Sequence, residues 1–189
     1  MSVADALRFR IVACVFTFLS VLAQPIHLFA ASCGDERDAI IQEYASQGVS
    51  LTPQCSDFNQ SAHSAYFSHA ELTVNEPHSW SLIRQPLTID KSSGYGLDKW
   101  RDAYGSSRAL NSVYRSPVKN ASVGGAKDSR HMYGDAADMR NASGSDDEYN
   151  AMKTAAQTAQ ADYIEPVTGP CKKACVHADW RDTSGGYSK

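Results

Sequence analysis

In the stretch SRHMYGDAAD, residues 129–138, a histidine is followed by an aspartate with a glycine between them, in a chain of 189 residues that has six histidines. Imidazole nitrogen and carboxylate oxygen both bind zinc, at about 2.0–2.2 Å, and a catalytic zinc takes three protein ligands while keeping one position open for water. His131 and Asp138 supply two such donors. Gly134 argues against one continuous helix, so His131 is expected at the end of a loop, a turn at Gly134 and Asp138 on the strand that follows. The third donor must come from elsewhere, and His177 in CVHADWR is best placed because it lies on a second polar-studded strand. Asp179, two residues on, shares its face. The H-x6-D spacing alone carries little weight, since a histidine just ahead of a glycine is ordinarily a turn residue.

Those donors need elements to hold them. DERDAIIQEYASQG (35–48) predicts a short amphipathic helix closed by Gly48, followed by a polar loop over 49–63. LDKWRDAYG (97–105) reads as helix, and ALNSVYR (109–115) as a strand ending at Ser116-Pro117. NASVGGAKDS (120–129) reads as a glycine-rich loop and AADMR (136–140) as a buried strand. Residues 145–161 predict a helix whose first turn carries Asp146, Asp147 and Glu148, where the helix dipole favours negative charge. DYIEPV and ACVHADWR then read as a hairpin. The expected fold class is α+β: a small antiparallel or mixed sheet with helices packed on it.

Composition is that of a globular domain, 42% hydrophobic and 21% charged, long enough for one real core. A formal net charge of −3 with no basic stripe argues against nucleic acid as partner. Arg8 and Arg10 precede an apolar run over residues 11–23, the pattern of a signal peptide. The run is broken by Gln24, Pro25 and His27, short of the roughly 20 apolar residues of a membrane span. The expected division is a signal peptide over 1–32, an N-terminal helix and polar linker over 33–64, and the main domain over 65–189. Export to the periplasm or the medium follows; a variant is lipidation of Cys33, although Ala30 stands where leucine is usual.

Beyond that leader the chain keeps Cys33, Cys55, Cys171 and Cys175, and four cysteines in an exported protein suggest two disulfides out of three possible pairings. Cys33–Cys55 would tie the N-terminal helix to the body, and Cys171–Cys175 would staple a short loop. A cysteine zinc site is the rival, but no paired CxxC is present.

The longer pattern is more specific. Ser112, Tyr114, Arg115, Pro117 and Asn120 are followed by Gly124-Gly125, then by Ser129, His131, Gly134, Ala136 and Asp138, and finally by His177. In order and type this resembles the signature of the M15-like zinc D-Ala-D-Ala carboxypeptidase family, the wider group that includes lysostaphin-like peptidases and the hedgehog signalling domain. The closing VHADWR is similar to the vHvDvR ending of one bacterial branch. The resemblance covers about residues 65–182.

The resemblance implies a hedgehog/DD-peptidase-like fold and one Zn2+ held by His131, Asp138 and His177. It implies a peptidase acting on peptidoglycan stem peptides, of carboxypeptidase or endopeptidase type. Arg115 would sit beside the open coordination position and stabilise the oxyanion. Ser129 would orient the site or touch substrate, and Tyr114 and Asn120 would shape the loop or reach substrate. One departure matters. Many members carry a Glu, Asp or His shortly before the last histidine as general base, whereas Ala174, Cys175 and Val176 stand here. Asp179 is then the base, or it orients a ligand histidine; Glu165 on the preceding strand is the reserve. Two rivals remain open at this point: a zinc-stabilised, non-catalytic cell-wall-binding module, and a disulfide-stapled exported protein without metal.

Overall fold

The computed structural model describes residues 32–51, 53–59, 64–84, 87 and 96–181. The signal peptide expected over 1–32 lies, apart from Ser32, outside the described residues. No helix among the described residues is long and apolar enough to cross a membrane.

Serine caps open most of the helices. Ser32 and Asp35 form a capping box at the start of α1 (Cys33–Ser46), with Asp35 N–H donating to Ser32 Oγ at 3.3 Å. A one-turn 3-10 helix over Cys55–Asp57 leads into β1 (Phe58–Asn59). Then come α2 (His69–Leu72), capped by Ser68, and β2 (Ser81–Leu82), which pairs antiparallel with β1. The interval 49–63, expected as plain loop, therefore contains a helical turn and a short strand. α3 (Gly96–Tyr104) and β3 (Leu110–Ser112) follow. β3 is shorter than the expected 109–115 because the next amides leave the ladder: Tyr114 N–H donates to the Leu72 carbonyl at 3.1 Å and Arg115 N–H to that of His131 at 3.2 Å.

A second difference falls on the glycine-rich segment. Residues Pro117–Ser122 form α4, so the expected loop begins only after Ser122. Ser116 caps this helix, with its Oγ accepting from Lys119 N–H, and Pro117 enters the first turn with its φ already near the helical value. A 3-10 turn over Arg130–Tyr133 precedes β4 (Ala136–Arg140). The chain ends its described course with α5 (Asp146–Thr158), β5 (Tyr163–Ile164) and β6 (Cys175–Asp179). β5 is brief because Pro166 has no N–H to give to a ladder.

The main sheet has the order β3-β4-β6-β5 with every pairing antiparallel, so the fold is α+β. One face carries the core. On β4, Ala137 and Met139, and on β6, Val176 and Ala178, are fully buried with Trp180 just beyond. They pack under α3 and α5, where Trp100 Nε1–H donates to the Met152 carbonyl at 2.8 Å and Trp180 Nε1–H to that of Ala159 at 3.1 Å. Ile40 and Tyr44 of α1 are equally buried in this core, so the N-terminal helix shares it with the segment after residue 64. Both expected disulfides are present: Cys33–Cys55 joins the start of α1 to the 3-10 turn, and Cys171–Cys175 closes the loop before β6.

Candidate metal centre

Strand alternation puts the next residues on the opposite face from the core. Asp138 on β4 stands directly across from His177 on β6, with Cys175 and Asp179 on either side of His177 along the same face. His131 arrives from the 3-10 turn. Gly134 ends that turn in the left-handed region (φ 69°), and a Cβ there would meet the Leu82 carbonyl oxygen at 2.1 Å, so only glycine lets the turn pass β2 this closely. Beneath the turn lies an ion cluster. Asp135 is fully buried and is held by Arg84 (Nη1 to Oδ2, 2.7 Å) and by Arg130 (Nε to Oδ1, 3.0 Å). Its own carbonyl accepts from Trp180 N–H at 3.0 Å. The cluster thus binds the turn to the sheet that carries the other two donors.

The three side chains meet. The donor atoms of His131, Asp138 and His177 all lie within 4.8 Å of one another. His131 Nε2 is 3.2 Å and His177 Nδ1 2.8 Å from the same oxygen, Asp138 Oδ1. The two rings stand edge to face with centroids 5.0 Å apart. Each imidazole has its other nitrogen engaged. His131 Nδ1–H donates to the Val113 carbonyl at 2.6 Å, which leaves the Nε2 lone pair facing Asp138. His177 Nε2 lies 3.3 Å from Asp179 Oδ2, which leaves Nδ1 facing inward.

This donor set fits zinc. Two imidazoles and a carboxylate are its usual nitrogen and oxygen ligands, and tetrahedral bonds of about 2.0–2.2 Å separate neighbouring ligands by about 3.3 Å. The observed 2.8 and 3.2 Å are close to that spacing. Orientation of each histidine through its second nitrogen is the arrangement that metal-ligating histidines require.

Without a metal, burial and mutual contact set the protonation states. Burial pulls the His131 pKa down, more than the neighbouring Asp138 restores, so this imidazole is neutral at neutral pH. Burial also acts on His177, but its hydrogen bonds to Asp138 and Asp179 outweigh it and raise the pKa to about 9. For Asp138 burial pushes upward, and the charged His177 ring that donates to it holds the carboxyl well below the usual carboxylate range. Asp179 is fully buried; its burial is outweighed by Arg181, whose Nε donates to Oδ1 at 2.7 Å, and by His177, so it too is held low.

The donors open into a cavity of about 640 Å³, a size that accepts a short peptide. Arg115 reaches it from the segment after β3. Its Nε donates to Ser112 Oγ at 2.6 Å and its Nη2 to Asp138 Oδ2 at 2.9 Å, so the guanidinium is fixed beside the donors. Ser129 lines the same cavity, and its side chain makes no cap bond to the 3-10 turn. Glu165 also lines the cavity, with Oε2 accepting from Cys171 N–H at 3.2 Å.

Tyr114 and Asn120 are placed elsewhere. Both are 1% exposed and neither lines the cavity. The Tyr114 hydroxyl lies 3.4 Å from that of Tyr44, which itself bonds the Met132 carbonyl, so this pair supports the 3-10 turn from below. Asn120 Nδ2 donates to the Ala126 carbonyl at 2.8 Å and folds the Gly124-Gly125 loop back on α4. Of the two roles expected of these residues, the contacts are those of support for the loop and turn, and neither side chain lines the cleft.

Three further contributors were not singled out from the sequence. Arg181 holds Asp179, and it was legible as the last letter of VHADWR, sharing the face of Asp179 by strand alternation. Tyr163 lies under the Arg181 guanidinium, 4.4 Å from its ring centroid, and 6.2 Å from the His177 ring. The Val113 carbonyl has no sequence signal, since every residue type carries one.

The sequence matches no curated protein. A sequence model of the family described as Peptidase M15 does match, over residues 65–179, a span that begins ahead of α2 and closes on Asp179 at the end of β6. Peptidases of this family are zinc-dependent hydrolases, in agreement with the donor set built by β4, β6 and the 3-10 turn. With 115 of its 189 residues inside that match, and the three candidate metal donors among them, the chain belongs to the peptidase M15 family.

Proposed function

We propose that this protein is an exported zinc peptidase that hydrolyses amide bonds in peptidoglycan stem peptides, of the D-Ala-D-Ala carboxypeptidase or endopeptidase type. The observation that carries the reading is the convergence of His131, Asp138 and His177 at the floor of a cleft, with the Arg115 guanidinium locked beside them.

His131 Nε2, an Asp138 carboxylate oxygen and His177 Nδ1 would hold the ion, which when bound supplies Lewis-acid polarisation of the scissile carbonyl and a water of lowered pKa. Arg115 would stabilise the negative charge that develops on the carbonyl oxygen; Ser112 and Asp138 keep it from swinging away, so that stabilisation would cost no reorganisation during the reaction. Asp179 acts through His177: it is buried, bonded to Arg181, and directed at Nε2. Its role is to position that ring. Glu165 is a further carboxylate lining the cleft, and we assign it the proton that passes from water to the departing amine. Ser129 at the rim contacts the peptide backbone of the substrate.

The test is metal content and turnover together. Purified wild type is expected to hold about one zinc per chain and to release product from a synthetic stem pentapeptide, with both lost in His131→Ala. A second reading has one observation behind it: no acid or histidine stands directly before His177, and Asp179 is already engaged. In that case the chain is a zinc-stabilised wall-binding module. Stoichiometric zinc, peptidoglycan binding and no hydrolysis of any stem-peptide bond would establish it.

A further inference from the structure

The metal donors have unusual neighbours. On β6, Cys175 lies two residues from His177 on the same face, and its disulfide partner Cys171 comes from the loop above. Both cysteines line the cleft that holds the histidines. Their sulfurs and a carboxylate oxygen of Asp138 all lie within 4.8 Å of one another, so Asp138 is shared between two sets of potential ligands. The loop that carries Cys171 is held from outside the disulfide as well. Its amide is bonded by Glu165, Gly169 N–H donates to the Pro166 carbonyl at 2.8 Å, and Ala174 N–H donates to the Cys171 carbonyl at 3.0 Å. Cys175 is fixed by the β4–β6 ladder. Backbone contacts other than the S–S bond thus hold both residues beside Asp138.

We propose that the Cys171–Cys175 disulfide guards the metal centre, and that its reduction creates a second, thiolate-rich metal site made of Cys171, Cys175 and Asp138. In the oxidised chain neither sulfur carries a charge, and the ion has the two histidines and Asp138. A dithiol reductant transfers two electrons and two protons to the S–S bond and becomes a disulfide itself; the chain gains two thiols. Each thiol releases its proton to solvent as its sulfur binds the ion. Thiolate is a softer donor than imidazole and is favoured by zinc and still more by soft ions such as cadmium. Two thiolates and a carboxylate place three negative charges around a divalent ion, and the Arg115 guanidinium, 2.9 Å from Asp138 Oδ2, offsets the excess. Because Asp138 belongs to both sets, an ion drawn to the sulfurs leaves the histidine pair incomplete. This second site stands independently of which bond the protein cuts.

Cobalt(II) reports the difference directly, since thiolate ligation adds a sulfur-to-metal charge-transfer band in the near ultraviolet that nitrogen and oxygen ligands do not. The full chain is reduced with a phosphine, which takes its oxygen from water and leaves no competing thiol, and is then titrated with Co2+ under anaerobic conditions. The Cys33→Ser/Cys55→Ser variant removes the other disulfide from the readout. Expected is a band that is absent from the oxidised chain, appears on reduction with one ion per chain, survives in Cys33→Ser/Cys55→Ser and is lost in Cys171→Ser/Cys175→Ser. It should also survive His177→Ala, which disables the histidine site, and weaken in Asp138→Ala. A reduced chain that binds cobalt without the band overturns the proposal. So does a band that persists unchanged in Asp138→Ala, or a chain whose circular dichroism shows unfolding on reduction. Failure of the histidine site reads differently: oxidised wild type would then bind no cobalt at all.

Discussion

Asp179 Oδ2 lies 3.3 Å from Nε2 of His177, while Nδ1 of the same ring lies 2.8 Å from Asp138 Oδ1. One imidazole is therefore held between two carboxylates, one buried behind it and one in front among the metal donors. The rear carboxylate is kept ionised by Arg181 and fixes the tilt of the ring.

Replacing Asp179 by Asn should loosen the metal without abolishing it. Loss of such an orienting partner typically costs about 10–100-fold in metal affinity. Competition with a chromophoric chelator measures this. A variant that keeps wild-type zinc affinity but loses turnover would instead make Asp179 the general base.

Arg115→Ala should leave one zinc per chain and lower kcat by roughly 10²–10³-fold, the usual cost of removing one oxyanion donor. KM should change little, because the lost interaction belongs to the transition state. Steady-state kinetics on a stem peptide, beside metal analysis of the same sample, checks both halves.

The pH dependence of the metal-free protein follows from His177. Its pKa in the fold is about 9, above the ordinary histidine value of about 6.5. The charged ring is thus favoured by folding: its contribution is full below about pH 6.5 and is lost as pH rises through about 9. Tm of the chelator-treated protein should fall across that window from this group. Zinc binding at pH 7.5 should also release close to one proton from His177, seen as a dependence of binding heat on the ionisation enthalpy of the buffer.

Asp135→Ala should destabilise the fold by about 3–5 kcal/mol, since it leaves the Arg84 and Arg130 guanidiniums buried without their shared partner. Because the cluster anchors the turn that carries His131, zinc affinity should fall with it. Denaturant unfolding of the metal-free variant separates the two effects.

Much of the positioning was written locally. Ser32, Ser68, Ser116 and Ser145 mark helix starts because a side-chain oxygen beside free amides acts within three residues. β4 over 136–140 was legible from its short apolar run, and Gly134 announced the turn before it. The extent of β3 was not legible, since the amides of Tyr114 and Arg115 are taken by Leu72 and His131, partners that only the folded chain brings near. The helix over 117–122 was hidden by the glycines after it, although Ser116-Pro117 held its cap.

The sequence alone determined the chemistry on offer: two imidazoles, a carboxylate and an arginine, in an order that matches a known family, with Cys171 and Cys175 close in sequence to His177. Alternation along a strand even determined that Cys175, His177 and Asp179 share a face. Tertiary structure decided the rest. The β4–β6 register sets Asp138 opposite His177, and a one-residue slip would have turned it into the core. Val113 fixes the His131 tautomer through a backbone carbonyl, and Tyr114 and Asn120 became supports because the space beneath the turn had to be filled. Such outcomes depend on contacts between distant segments, and no local pattern of residue types carries that information.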